Sequence, residues 1–335
     1  NPTTGAVTMV KAGTVTIKAT VAETDTHNAA TAEYTLTVKK AERNLAFTQE
    51  SGTATLGENF TLPSLTGEGN LINAKYVVAS GNAATVTATG SVTLVKSGTV
   101  TIKATIAADD THLEGTATYT LTVKKVLYLV PNANWKQASA RFAAYFFGAG
   151  EKWVDMTDDN SDGIYEVIVP DGGYTTVIFC RMNPSAKENG WSNKWSQTGD
   201  MTIGDKLYCV IPELIWEGST IWSDNTSLPF IKSGEYYLFP NDDWKKDNAV
   251  FAAYFCNGTS NAKWVGMEAV DGAPGYFKVA KPSGENHKNI IFVRMKSTNY
   301  DWSNKHNQTS DLTFGSGNLY EITGWDNSGK WHTLK

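Results

Sequence analysis

Cysteine is scarce in this chain: Cys180, Cys209 and Cys256 are the three present among 335 residues. That number excludes a disulfide framework, and one Cys180–Cys209 bridge stays open only if their strands adjoin. In the internal duplication described below, the three cysteines align with Val293, Glu321 and Phe147. Runs of 18 or more apolar residues are absent, so no membrane insertion is expected. The basic start and apolar stretch of a signal peptide are also missing, and the chain, opening at Asn1, reads as a fragment excised from something longer. A net charge of -5 with a pI near 5.6 leaves no basic patch for a phosphate backbone, so nucleic acid is not an expected partner. Residues 126–230 contain no histidine, which removes the usual general base of a nucleophilic triad.

What the chain does have is repetition. Residues 10–40 match residues 95–125 at 23 of 31 positions with a constant offset of 85, which marks tandem copies of one domain. Alternation in Thr14-Val15-Thr16-Ile17-Lys18-Ala19 and in Tyr34-Thr35-Leu36-Thr37-Val38 has the two-residue period of a half-buried strand, with Gly13 and Gly98 marking turns. The run G-T-V-T-I-K-A-T followed by Y-T-L-T-V resembles the bacterial immunoglobulin-like domains that serve as tandem spacers in surface proteins. That resemblance implies one complete unit over 41–125 and only the C-terminal half of another over 1–40. A half sandwich leaves a sheet face uncovered, so this segment is expected to be propped by a neighbour or mobile. His27 and His112 recur in polar loops with no second ligand nearby and read as solvated residues; no metal or cofactor is expected.

The second repetition is aromatic. All eleven tryptophans lie within 126–335, and ten form five pairs: Trp135/Trp244, Trp153/Trp264, Trp191/Trp302, Trp216/Trp325 and Trp222/Trp331, with Trp195 facing His306. A small β domain needs one or two for its core, so some ring faces are expected to serve binding. In Phe142-Ala143-Ala144-Tyr145-Phe146 and its counterpart from Phe251, alternation assigns the phenylalanines to the core and turns Tyr145 and Tyr254 outward with an open ring face. Trp153 and Trp264 follow loops of differing length and are expected on a platform. The amide-rich blocks Trp191-Ser192-Asn193-Lys194-Trp195-Ser196-Gln197-Thr198 and Trp302-Ser303-Asn304-Lys305-His306-Asn307-Gln308-Thr309 read as binding loops. A glucose ring stacks its C–H face on an aromatic plane while amides and amines bond to its hydroxyl rim. Tyr145, Trp153 and Trp191 supply planes and Asn193, Lys194 and Gln197 the rim; the second set is Tyr254, Trp264, Trp302, Asn304, Lys305 and Gln308.

The order of a tyrosine strand, an N-x-x-W turn, an outward aromatic, a tryptophan shortly before a methionine and a late W-x-N-x-x-x-Q-T loop resembles the starch-binding carbohydrate-binding modules of families 25 and 26. The resemblance covers 126 to about 225 and 233–335. It implies β-sandwich modules whose aromatics cradle an α-1,4-linked glucan, starch or a maltooligosaccharide, on a secreted or cell-surface protein. Val154-Asp155 and Val265-Gly266 stand where that family has proline and glycine. The expected architecture is an all-β multidomain chain of β-sandwiches: residues 1–40 and 41–125 as immunoglobulin-like spacer, then modules over 126–230 and 231–335, acting as a monomer.

Catalysis is not expected. Glycoside hydrolysis needs two carboxylates roughly 5 to 9.5 Å apart, and the acidic position aligned between the copies is Asp200/Asp311. Asp158-Asp159-Asn160-Ser161-Asp162-Gly163 starts like a calcium loop, but Val169 stands where a bidentate glutamate belongs, so an acidic turn is the better reading. Trp135 and Trp244 are expected to seal the sandwich, Trp216, Trp222, Trp325 and Trp331 to be core or edge-capping, and Arg181 and Arg294 to pair with a carboxylate or carbonyl. The rival function from another class is an adhesin or structural surface protein using the aromatics as a protein interface; a module for a different glucan is the third.

Overall fold

The computed structural model describes residues 1–258, 260–284, 286–315, 317–325 and 328–334. It is an all-β, multidomain chain built from β-sandwich layers, and it divides into two compact units, 1–125 and 126–335.

In the first unit, strands Gly98–Ile106 and Gly115–Lys124 pair antiparallel, flanked by Lys75–Gly81 and, in parallel, by Ser51–Thr55. Val100, Ile102, Ala104 and Ile106 alternate inward and meet Tyr119, Leu121 and Val123, with Leu45 and Phe47 packed against them. Strands Gly13–Val21 and Ala30–Val38 pair in the equivalent register, Gly13 to Val38 as Gly98 to Val123. Their environment differs entirely. Tyr34 is 62% exposed whereas Tyr119, its counterpart 85 residues on, is 1% exposed. Near-identical sequence makes the same hairpin, but among the described residues no second layer buries its apolar face.

The second unit holds both duplicated modules. In each, one sheet pairs the N-terminal strand, Val126–Val130 or Glu235–Phe239, antiparallel to Tyr165–Ile168 or Phe277–Ala280 and parallel to Tyr208–Val210 or Leu319–Ile322. The other runs Glu151–Asp155, Arg141–Phe147, Thr176–Met182, Lys194–Gln197, and in module two Ser260–Gly266, Val250–Asn257, Asn289–Met295, Lys305–Gln308. Phe142, Ala144 and Phe146 fill the space between layers. Trp135 and Trp244 are fully buried and lie parallel to Phe142 and Phe251, as expected of rings that close the sandwich. Trp222 and Trp331 pack edge-on against Phe179 and Phe292.

Two readings need correction. All three cysteines are free and buried, and Cys180 and Cys209 lie in different sheets, so the bridge left open is not made. Cys209 stands beside Leu129 as Tyr320 stands beside Leu238, so its counterpart is Tyr320 and not Glu321.

The modules share a continuous core. Ile211, Ile215 and Leu228 belong to one buried cluster with Tyr237, Val270, Ala273 and Tyr276. Phe230, in the connector, packs on both Tyr237 and Tyr276, and the Tyr276 hydroxyl donates to the Glu213 carbonyl. The connector is thus part of a packed seam and not a free linker.

Two outcomes follow from this packing. In hydrogen exchange, amides of 13–38 should exchange much faster than those of 98–124, because opening the hairpin exposes almost no apolar surface; equal protection would contradict the uncovered face. Tyr276→Ala should destabilise residues 126–335 by about 3–5 kcal/mol in denaturant unfolding, the usual cost of emptying a buried aromatic site. A loss below ~1 kcal/mol would mean that the seam contributes little.

Candidate functional site

The two faces of the sheet containing Arg141–Phe147 do different work. Its inward side chains build the sandwich core; its outward ones, Ala143, Tyr145, Ile178, Cys180 and Met182, form a second apolar patch with no sheet layered over it. Trp153 and Trp191 cover that patch. Tyr145 stands directly across from Trp153 in the antiparallel register, and a 3-10 turn at Trp191–Asn193 places Trp191 over both. The three ring centroids are 4.7 to 4.9 Å apart, with Trp191 edge-on to each partner.

Module two repeats the arrangement. Tyr254 faces Trp264 in register, and the Tyr254, Trp264 and Trp302 centroids are 4.6 to 4.9 Å apart with similar tilts. All six aromatics singled out from sequence therefore assemble, three per module. Their exposure is graded. Trp191 is 48% exposed, Trp153 half-buried, and Tyr145 only 8% exposed. The expectation of an open Tyr145 face is corrected: Trp153 and Trp191 close on it, and Phe147 stacks 5.7 Å away. Burial and the neighbouring Glu151 carboxylate push the Tyr145 phenol above its ordinary pKa. Tyr145 is the floor on which exposed indoles rest.

The polar candidates separate into two roles. Lys194 Nζ donates to Gln197 Oε1 at 2.6 Å, and Lys305 makes the same bond to Gln308, so each pair stands together at the platform edge. Lys305 Nζ also lies 5.3 Å from the Trp302 ring centroid. Asn193 and Asn304 instead spend their amide donors on the loop itself: Asn193 Nδ2 bonds to Glu188 O, and Asn304 Nδ2 bonds to Ser297 Oγ and Asn299 O. They brace the turn that presents the tryptophan; Asn304 is left with its amide oxygen for a ligand, and Asn193 with its oxygen and one N–H. The threonine closing each loop is structural as well, because Thr198 and Thr309 are buried and accept from the amides of Phe179 and Phe292.

Sequence reasoning missed what holds each tryptophan loop, because the two modules solve that problem with unrelated residues. In module one, Arg141 reaches Ala186 O, Glu188 O and Asn189 Oδ1, while Asp155 accepts from both Arg141 and Asn189. In module two, Val250 replaces Arg141 and Gly266 replaces Asp155. Tyr300 occupies the freed space, so close to Gly266 that a Cβ there would meet its hydroxyl. Asp301 then caps the turn through the amides of Ser303 and Asn304. The unusual Val154-Asp155 and Val265-Gly266 dipeptides are these two solutions.

The modules also differ in relief. Tyr254, Cys256, Ile291, Trp302, Lys305 and Gln308 line an open cleft of about 420 Å³, with Asp311 at its margin. In module one, Phe147 stands in the Cys256 position and packs against Tyr145.

Other expectations fall outside the platforms. Arg181 donates to Trp135 O and Gln137 O, and Arg294 to Trp244 O, Lys246 O and Asp247, the structural pairings foreseen for them. Trp216 and Trp325 are exposed and not core, because their turns lie outside the layers. Asp158 accepts from the amides of Asp162 and Gly163, as an acidic turn would.

Arg141→Ala is expected to raise hydrogen exchange across 183–193 by tenfold or more, on the order of the ~1.5 kcal/mol carried by hydrogen bonds to a charged group. Residues 297–304 should keep their rates. Unchanged exchange over 183–193 would show that the arginine is not the staple.

No family model matches this chain, and no curated protein does. Among solved structures, the chain is similar to the Bacillus anthracis TIE protein at 12% identity and a TM-score of 0.23, over 87% of this chain and 59% of that one. It is also similar to a tetra-tandem repeat in the extending region of a large adhesion protein, at 14% identity and a TM-score of 0.18, over 91% and 80% of the respective chains.

Proposed function

We propose that residues 126–335 bind α-1,4-linked glucan without cleaving it, each module through one aromatic platform, and that residues 1–125 act as spacer in a secreted or cell-surface protein. The observation that carries this reading is the duplicated triad: two sets of one tyrosine and two tryptophans with matching spacing, set on a sheet face that no other layer covers. Rings tilted by 48 to 68° to one another face different directions, which suits a helical polymer whose successive rings turn. The lysine and glutamine at its edge offer donors and an acceptor to hydroxyl groups, and neither is committed to the core.

A binding role is favoured over a hydrolytic one by the acids nearby. In module one Glu151 lies against the Tyr145 phenol and Asp155 is tied to Arg141 and Asn189, and Asp311 borders the module two cleft alone among the cleft-lining residues, whereas glycosidic cleavage needs a carboxylate pair facing one bond. A shallow stacking site of this kind should bind at about 10 μM to 1 mM per module. The packed seam holds both platforms on one body, so a polymer reaching both gains avidity of ~10²-fold or more without paying for linker disorder.

Affinity electrophoresis through gels containing amylose, cellulose or no polymer tests the proposal. Retardation by amylose alone is expected. Trp191→Ala with Trp302→Ala should abolish most of it, each ring being worth roughly 1.5–3 kcal/mol if it is an anchor. Retardation by cellulose would reassign the glucan, and indifference to every polymer would favour a protein interface and sink the reading. Cys256→Phe, which imports the module one residue, should weaken module two selectively by narrowing its cleft.

A further inference from the structure

Strand Lys194–Gln197 sends side chains two ways. Lys194 and Gln197 reach the platform, while Trp195 sits in the bulge between the Met182–Lys194 and Arg181–Ser196 pairs and turns to the guanidinium of Arg181. Trp216 approaches the same guanidinium from a turn in another part of the chain. Arg181 Cζ lies 4.6 Å from the Trp195 centroid and 5.5 Å from that of Trp216. The two rings are exposed to 41% and 43%, while the arginine between them is 6% exposed.

We propose that Trp195, Arg181 and Trp216 form a second carbohydrate-stacking subsite in module one, separate from the Tyr145 platform. Three features support a built site. First, Trp216 is presented by a fixed turn: its carbonyl accepts from Trp135 Nε1 at 3.0 Å, the carbonyl of buried Ile215 accepts from Asn132 Nδ2, and Leu214 holds a φ of 65°. A non-glycine residue in the left-handed region is unfavourable and persists where its surroundings enforce it. Second, the guanidinium is positioned by Trp135 O and Gln137 O through Nε and Nη2, and Nη1 has no hydrogen-bond partner among the described residues. Third, planes and donor coincide. The guanidinium lies over one face of each indole, so a pyranose can stack on a face turned away from it while the Nη1 donor at the rim is in reach of a hydroxyl oxygen, whereas an apolar protein segment would strand that donor.

An anion is less suited, since it gains nothing from two indole planes. The arginine's side-on fork, moreover, is already taken by the two carbonyls. Module two lacks the arrangement: His306 replaces Trp195, and Asp247 Oδ2 engages Arg294 at 2.8 Å. Module one therefore has two faces for sugar, one on each side of a single strand, and module two has one.

The identity of the sugar rests on the α-glucan reading, so the test separates the two claims. Indole N–H resonances are followed by NMR during titration with maltoheptaose, in the unaltered chain and in a Trp191→Ala/Trp302→Ala chain, with the buried Trp135 and Trp244 signals reporting the fold. The subsite predicts saturable shifts of the Trp195 and Trp216 signals in both, at about millimolar sugar, and in Trp195→His the remaining Trp216 signal should stop responding while Trp153 and Trp191 still respond. Silent Trp195 and Trp216 beside responding Trp153 and Trp191 would overturn the subsite alone. Silence at all four would overturn both claims, and shifts with inorganic phosphate but not maltoheptaose would make this an anion site and overturn it as well.

Discussion

The cross-strand contact of Tyr145 with Trp153, and of Tyr254 with Trp264, is the interaction on which the rest depends. In each case a strand that faces the core on one side carries a ring on the other, where no layer covers it. Leaving such a face bare exposes a contiguous apolar patch, which folded proteins keep for contact with something else. The loop tryptophan partly covers the patch and makes it a shaped surface instead of a flat one. Edge-on and tilted ring pairs stabilise this geometry beyond simple area burial, by about 0.5–1.5 kcal/mol each. The triad is thus both a small core and a platform, with tyrosine as its floor and indole as its outer plane.

A second constraint is the seam between the modules. Tyr276 and Tyr237 lie in the same buried cluster as Ile211 and Ile215, so the duplicated units do not move on a tether. Bivalent attachment through a flexible linker loses effective concentration as the linker wanders; a packed seam fixes it. The asymmetry between modules, Phe147 against Cys256 and Trp195 against His306, makes the two halves of this compact unit unlike on their outer faces.

Much of this was legible in the sequence. The 85-residue offset and the period-two alternation give the strands around Ile102 and Tyr119 directly, and the five tryptophan pairs locate the platforms. Alternation specifies which residues share a face but not what lies over that face. For that reason Tyr34 and Tyr119, in near-identical segments, have opposite fates, and Tyr145 is roofed by Trp153 of the next strand and by Trp191 from a loop distant in sequence. Trp216 defeats the reading for a related reason: apolar neighbours such as Ile215 suggest burial, yet consecutive residues in a turn point in different directions. Arg141 and Asp155 were invisible because module two contains neither, so the duplication that exposed the platforms hid their supports.

The account is tested most directly by a crystal structure of residues 126–335 with maltoheptaose. It predicts glucosyl rings stacked on Trp191 and Trp153 in one module and on Trp302 and Trp264 in the other, with hydroxyls bonded to Lys194, Gln197, Lys305 and Gln308. Well-ordered sugar found elsewhere, with both triads bare, would contradict it.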